Sequence, residues 1–134
     1  MPIEESYFQL HKFFVEADEL AKKYLADYDL SMNQSCILLY IRKKHPQGTN
    51  MTELHHELDI AKATLSDQIK KLRNEGYLEI VHCKSDERKK EIKISSKMNE
   101  QIEELSKKIA LMEEQLKGNL EQFIKVILEV EKND

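Results

Sequence analysis

Five side chains on one short stretch can donate or accept hydrogen bonds: Lys62, Thr64, Ser66, Gln68 and Lys71. A second group follows, Lys84, Asp86, Arg88, Lys89 and Lys90, rich in positive charge. These residue types suit gripping and reading rather than bond making. Glutamine can pair with adenine through two hydrogen bonds, and lysine reaches guanine or phosphate. Threonine and serine hydroxyls fix phosphates and register. A guanidinium such as that of Arg88 fits a narrow, electronegative minor groove. Asp86 stands two residues before Arg88, so on an extended backbone it shares that residue's face and can hold its fork in place.

These groups need a frame. Ala61, Leu65, Ile69 and Leu72 recur at steps of four, four and three. That spacing is one helical stripe, and the five hydrogen-bonding residues lie off it. Gly76 suits the left-handed position that ends a helix. The period then changes to two. Leu78 and Ile80 alternate with Glu79 and Val81, and Ile92 and Ile94 alternate with Glu91 and Lys93, which reads as two strands around a polar, basic turn. A helix with a hydrogen-bonding face beside a basic hairpin is what a winged helix-turn-helix uses to hold duplex DNA.

Upstream, Ser31 and Gln34 have capping-box spacing, and a helix follows to about Lys44. His45 to Thr49 is a loop, punctuated by Pro46 and Gly48. Asn50 and Glu53 offer a second box, with Asn50 as cap and Glu53 reaching back, ahead of a short helix to Leu58. Asp59 and Ile60 make the turn into the reading helix, so the DNA-binding lobe spans residues 31–95.

Long helices flank the lobe. From Glu4 to Tyr28 a seam of Ile3, Tyr7, Leu10, Phe14, Ala17, Ala21, Tyr24 and Tyr28 alternates by four and three. Ser95 or Ser96 caps a helix to about Lys117, with a stripe of Met98, Ile102, Leu105, Ile109, Met112 and Leu116. Gly118 and Asn119 are expected to break it, leaving a last helix from Leu120 to about Glu131. Residues 1–28 and 96–134 are read as dimerisation helices, their stripes shared between two copies of the chain. The fold class is mainly α with a small β-hairpin wing, a single domain.

The run from Leu54 to Ser95, LHHELDIAKATLSDQIKKLRNEGYLEIVHCKSDERKKEIKIS, resembles the core of the MarR family of bacterial transcription regulators. Asp86-Glu87-Arg88 matches that family's Asp-x-Arg wing signature, and the following lysine is similar to the related SarA-type regulators. Ala61, Asp67 and Asp59 depart from it, standing where a Ser or Thr, a basic or polar residue, and a turn glycine are common. The resemblance implies a homodimeric, sequence-specific DNA-binding regulator, a repressor released by a small phenolic or other effector. It implies an effector pocket near Phe14, Cys36 and Tyr40.

Composition agrees with a regulator. The net charge is −4, yet residues 60–94 carry 9 basic against 6 acidic side chains, while the segments on either side are net negative. Phosphate contacts need such local positive potential, not a basic whole. No apolar run approaches the roughly 18 residues of a membrane span, and the N-terminus has no secretory pattern, so a cytoplasmic protein is expected. Cys36 and Cys83 form no CxxC pair. The five histidines make no i, i+4 pair on one face, and no nucleotide, zinc-protease or nucleophile-elbow motif occurs. No enzyme, cofactor or metal site is read. Two alternatives stand beside the DNA reader. One is a helical dimer acting through protein partners with a degenerate DNA face. The other is a redox- or metal-responsive regulator.

Overall fold

The computed structural model describes residues 3–83 and 86–132, without the side chains of Ile3, Cys83, 86–88 and 130–132. The chain divides into two units, Leu30–Ser106 and Met1–Asp29 with Lys107–Asp134.

The first unit holds α2 (Met32–Lys44), α3 (Met51–Leu58), α4 (Lys62–Asn74), the strands β1 (Leu78–Cys83) and β2 (Asp86–Ile94), and the start of α5 (Asn99–Lys132). The Ser31 hydroxyl accepts from the Gln34 amide and the Gln34 side chain accepts from the Ser31 amide, a complete capping box. Asn50 caps α3 by accepting from the Glu53 amide. Glu53 does not reach back to close a second box, because its carboxylate is taken by Tyr40 and Lys44 of α2. Asp59 adopts a left-handed backbone, φ 53°. It occupies the position where a turn glycine is common, and aspartate tolerates that conformation better than most residues.

α4 ends in a Schellman arrangement. Gly76 sits at φ 85°. Its amide bonds the Arg73 carbonyl at 3.0 Å, and the Tyr77 amide bonds that of Leu72 at 2.9 Å. The chain then turns into an antiparallel hairpin that pairs Leu78 with Ile94 and Ile80 with Ile92, its register slipping between His82 and Cys83. Ile37, Leu38, Leu54, Leu65, Leu72 and Leu105 are fully enclosed in this unit. Of the apolar stripe read for α4, Leu65, Ile69 and Leu72 form the inward face, whereas Ala61 is exposed and stands ahead of the helix at its cap position.

The second unit contains α1 (Ile3–Leu25), a 3-10 turn (Ala26–Tyr28) and most of α5. The Lys108 ammonium lies 2.7 Å from the Asp27 carboxylate, and the Phe13 and Phe123 rings stand 5.6 Å apart. Helix α1 ends three residues earlier than expected. More importantly, α5 does not break at Gly118. It is one helix of 34 residues, about 51 Å long at ~1.5 Å per residue. Leu116, Leu120, Phe123 and Ile127 keep steps of four, three and four across the glycine. A mid-helix glycine costs only about 1 kcal/mol against alanine, too little to interrupt an apolar face that stays in register.

The α5 stripe also serves a different purpose from the one expected of it. Ile102, Leu105, Ile109 and Met112 are all buried within a single chain. What remains exposed on α1 and α5 is another set, including Tyr7, Phe8, Phe14, Leu111, Ile124 and Leu128.

Candidate nucleic-acid interface

Helix α4 turns Leu65, Ile69 and Leu72 inward, so the residues between them face out. Lys62, Thr64 and Lys71 are exposed, whereas Ser66 and Gln68 are half-buried. The Gln68 amide oxygen is enclosed and has no hydrogen-bond partner among the described residues. A two-bond pairing with adenine therefore requires that side chain to turn out of its present rotamer. Asp67 is tied to Lys71 at 3.3 Å, an exposed i, i+4 pair of the kind worth about 0.3–0.5 kcal/mol. That pair removes much of the repulsion Asp67 offers to phosphate.

The start of α4 has no side-chain cap, because Ala61 occupies the cap position. Its first amides are thus left for solvent or for an anion. A helix N-terminus with free N–H groups attracts phosphate, and Lys62 adds a full charge there.

The hairpin carries the second group. Lys89 and Lys90 are exposed on β2. Asp86 and Arg88 lie on the same strand, two residues apart as expected, but their side chains and all of Lys84 fall outside the described residues. The tertiary structure adds a fastening that residue spacing did not reveal. Thr49, in the loop after α2, pairs with Ile92 of β2. The Thr49 amide bonds the Ile92 carbonyl at 3.0 Å, and the Ile92 amide bonds that of Thr49 at 2.8 Å. The wing is in this way held by the helix-turn-helix itself.

A clasp between α2 and α3 also escaped sequence reasoning. The Tyr40 hydroxyl donates to Glu53 at 2.6 Å, and the Lys44 ammonium lies 2.7 Å from the same oxygen. These partners are thirteen and nine residues away, beyond any local pattern. Lys44, then Tyr40, hold the Glu53 carboxyl at about 2, below the carboxylate value of 4.5. A carboxyl lowered in this way contributes stability that is complete above its unfolded value and is lost as pH falls towards its folded one. With the Glu53 side chain 28% exposed, solvent screening limits this to about 1 kcal/mol. Glu53→Gln is expected to be less stable than the parent by that amount at pH 6 in urea. The gap should narrow steadily between pH 4.5 and 2, and a gap independent of pH would refute the assignment.

Of the residues read as an effector pocket, Phe14 belongs to the α1 unit, and Cys36 and Tyr40 to the other. Tyr40 is engaged by Glu53. The Cys36 thiol is pushed above its ordinary value by desolvation, which lowers its thiolate fraction and its aptitude as an oxidant sensor. Among the described residues no three His, Cys, Asp or Glu side chains gather as a metal site, and no helix is long and apolar enough to cross a membrane.

A family model described as transcriptional regulator SarA/Rot matches residues 19–105. Among solved structures, the S. aureus MepR–DNA complex superposes with a TM-score of 0.73 at 16% identity, covering 96% of this chain and 97% of that one. Bordetella bronchiseptica BpsR, described with regulation of its DNA binding by 6-hydroxynicotinic acid, gives 0.71 at 18% identity over 93% and 90%. A mutant MarR from E. coli complexed with operator DNA gives 0.69 at 21% over 89% and 90%. At these identities the likeness is one of fold. No curated protein matches the chain.

Proposed function

Because the chain belongs to the SarA/Rot family of transcriptional regulators, we propose that it is a cytoplasmic homodimer that binds a specific, near-palindromic DNA site as a repressor and is released by a small effector. The observation that carries the reading is the pairing of two exposed surfaces. One is the uncapped, lysine-bearing start of α4 with its polar face. The other is the exposed pair Lys89 and Lys90 on strand β2, in the sole segment of net positive charge. A twofold dimer would set two α4 helices about one DNA turn apart, roughly 34 Å, in successive major grooves. Lys62, Thr64, Ser66, Gln68 and Lys71 would lie in or beside the groove. Lys84, Arg88, Lys89 and Lys90 would follow the flanking minor groove and backbone, with Asp86 orienting Arg88. Effector release would be a population shift, the effector favouring a conformation whose reading helices are wrongly spaced.

Binding of genomic fragments at two salt concentrations tests the reading. Arg88→Ala is expected to weaken operator binding by about 1–3 kcal/mol per half-site. Lys62→Ala should weaken binding evenly across sequences and flatten its salt dependence. Glu79→Ala, exposed on β1 away from the hairpin tip, should change little. If the parent binds no genomic DNA even at low salt, the reading fails and a helical dimer acting through protein partners takes its place.

A further inference from the structure

We infer that Gly48 is a positioning residue for DNA recognition: by letting the loop after α2 lie directly on β2, it sets where the wing stands relative to α4. The inference rests on the DNA-reading proposal above and deepens it.

Gly48 is not at a left-handed position; among the described glycines only Gly76 is. Its requirement is spatial. A Cβ built on Gly48 would stand 2.6 Å from the Glu91 Cβ, 3.0 Å from the Ile92 carbonyl oxygen and 3.1 Å from the Lys93 Cγ. The first of these is a distance that real side chains do not adopt. The opposing atom is itself a Cβ, so no rotamer change moves it aside. Relief has to come from displacement of the β2 backbone or of the loop.

The loop is poorly able to yield. Its feet are joined by the Lys44–Glu53 ion pair at 2.7 Å, which ties the end of α2 to the start of α3. The Gln47 amide bonds the Lys44 carbonyl at 2.9 Å, and Asn50 caps α3. Next to Gly48, Thr49 and Ile92 exchange two backbone hydrogen bonds and are almost wholly buried. Strand β2 is the freer partner, with β1 alone beside it in the sheet among the described residues.

Restoring an ordinary contact at Glu91 means opening the gap from 2.6 Å to about 3.4 Å. The wing tip lies beyond this point. Arg88 is four residues from Ile92, about 13 Å along an extended strand, so a tilt at residues 91 and 92 grows towards the tip. Hydrogen bonds fail over displacements of this size. The contacts of α4 do not pass through the loop, and they should survive.

The test uses the full chain on one operator fragment at fixed salt, with circular dichroism on every variant. Gly48→Ala is expected to stay folded and to bind DNA about tenfold more weakly or worse, the loss also expected of Arg88→Ala. Combining Gly48→Ala with Arg88→Ala should add little to Gly48→Ala alone, because a displaced wing has already lost the Arg88 contact. Gly48→Ala with Glu91→Gly should recover affinity, since the 2.6 Å contact is gone and the Ile92 carbonyl oxygen and Lys93 Cγ, at 3.0 and 3.1 Å, need give by only a few tenths of an ångström, with Glu91→Gly alone as the control. A merely structural role predicts instead additive losses in the first pair. If Gly48→Ala does not fold, the pair with Glu91→Gly decides: recovery of folding and affinity supports the inference, and no recovery overturns it. A folded Gly48→Ala that binds as the parent does overturns this inference alone. A parent that binds no DNA overturns the reading on which it rests.

Discussion

Replacing Leu105 by aspartate is expected to unfold the helix-turn-helix unit. Leu105 is fully enclosed, with 0% of its surface exposed. Truncating a leucine in such a position typically costs about 2–5 kcal/mol, and an unpaired buried carboxylate adds several more or remains protonated. Domains of this size are stable by only about 5–15 kcal/mol in total. Ala110→Asp, exposed on the same helix, should cost under about 1 kcal/mol, the helix-propensity difference. Thermal melts followed by circular dichroism separate the two. If Leu105→Asp melts like the parent, the assignment of this stripe to the core of one chain is wrong.

The second large effect concerns assembly. Tyr7 is 68% exposed, Phe8, Phe14 and Leu111 61%, Leu128 52% and Ile124 47%. Large apolar side chains exposed to this extent on both helices of one unit give that unit an apolar surface for docking. The proposed homodimer supplies its occupant. Phe8→Asp with Ile124→Asp places two charges on this face without touching the buried set. The variant is expected to keep its helical content, sediment as a monomer at micromolar concentration and lose operator affinity by roughly 10²- to 10⁴-fold. That factor is what linking two half-site contacts contributes through effective concentration. A variant that remains dimeric would place the interface elsewhere, and a parent that sediments as a monomer would remove the dimer from the proposal.

Much of the helix-turn-helix unit was legible in one dimension. The Ser31–Gln34 box, the Asn50 cap, the left-handed Gly76 and the alternation of the hairpin all formed as read. The inward stripe of α4 was legible from Leu65 to Leu72, though not at Ala61, and with it the exposure of Lys62, Thr64 and Lys71. Each of these is an interaction among residues within a few positions, or a period imposed by one element's own geometry, so neighbouring residues determine it.

Other features depended on partners far along the chain. Glu53 has the spacing of a capping box, yet Lys44 and Tyr40 compete for its carboxylate and win, offering an ammonium and a hydroxyl at 2.7 and 2.6 Å. Gly118 carries a break signal, and the in-phase apolar face on either side of it overrides that signal. The stripe from Ile102 to Met112 has a dimer seam's spacing, but a period states only that a face is covered, not by which chain. Gly48 reads as loop punctuation, and its spatial role exists only because folding lays residues 91–93 against it. Local sequence determined the elements and the face each one buries. Tertiary packing decided which side chains compete for one another, because that outcome depends on distances set by the whole unit.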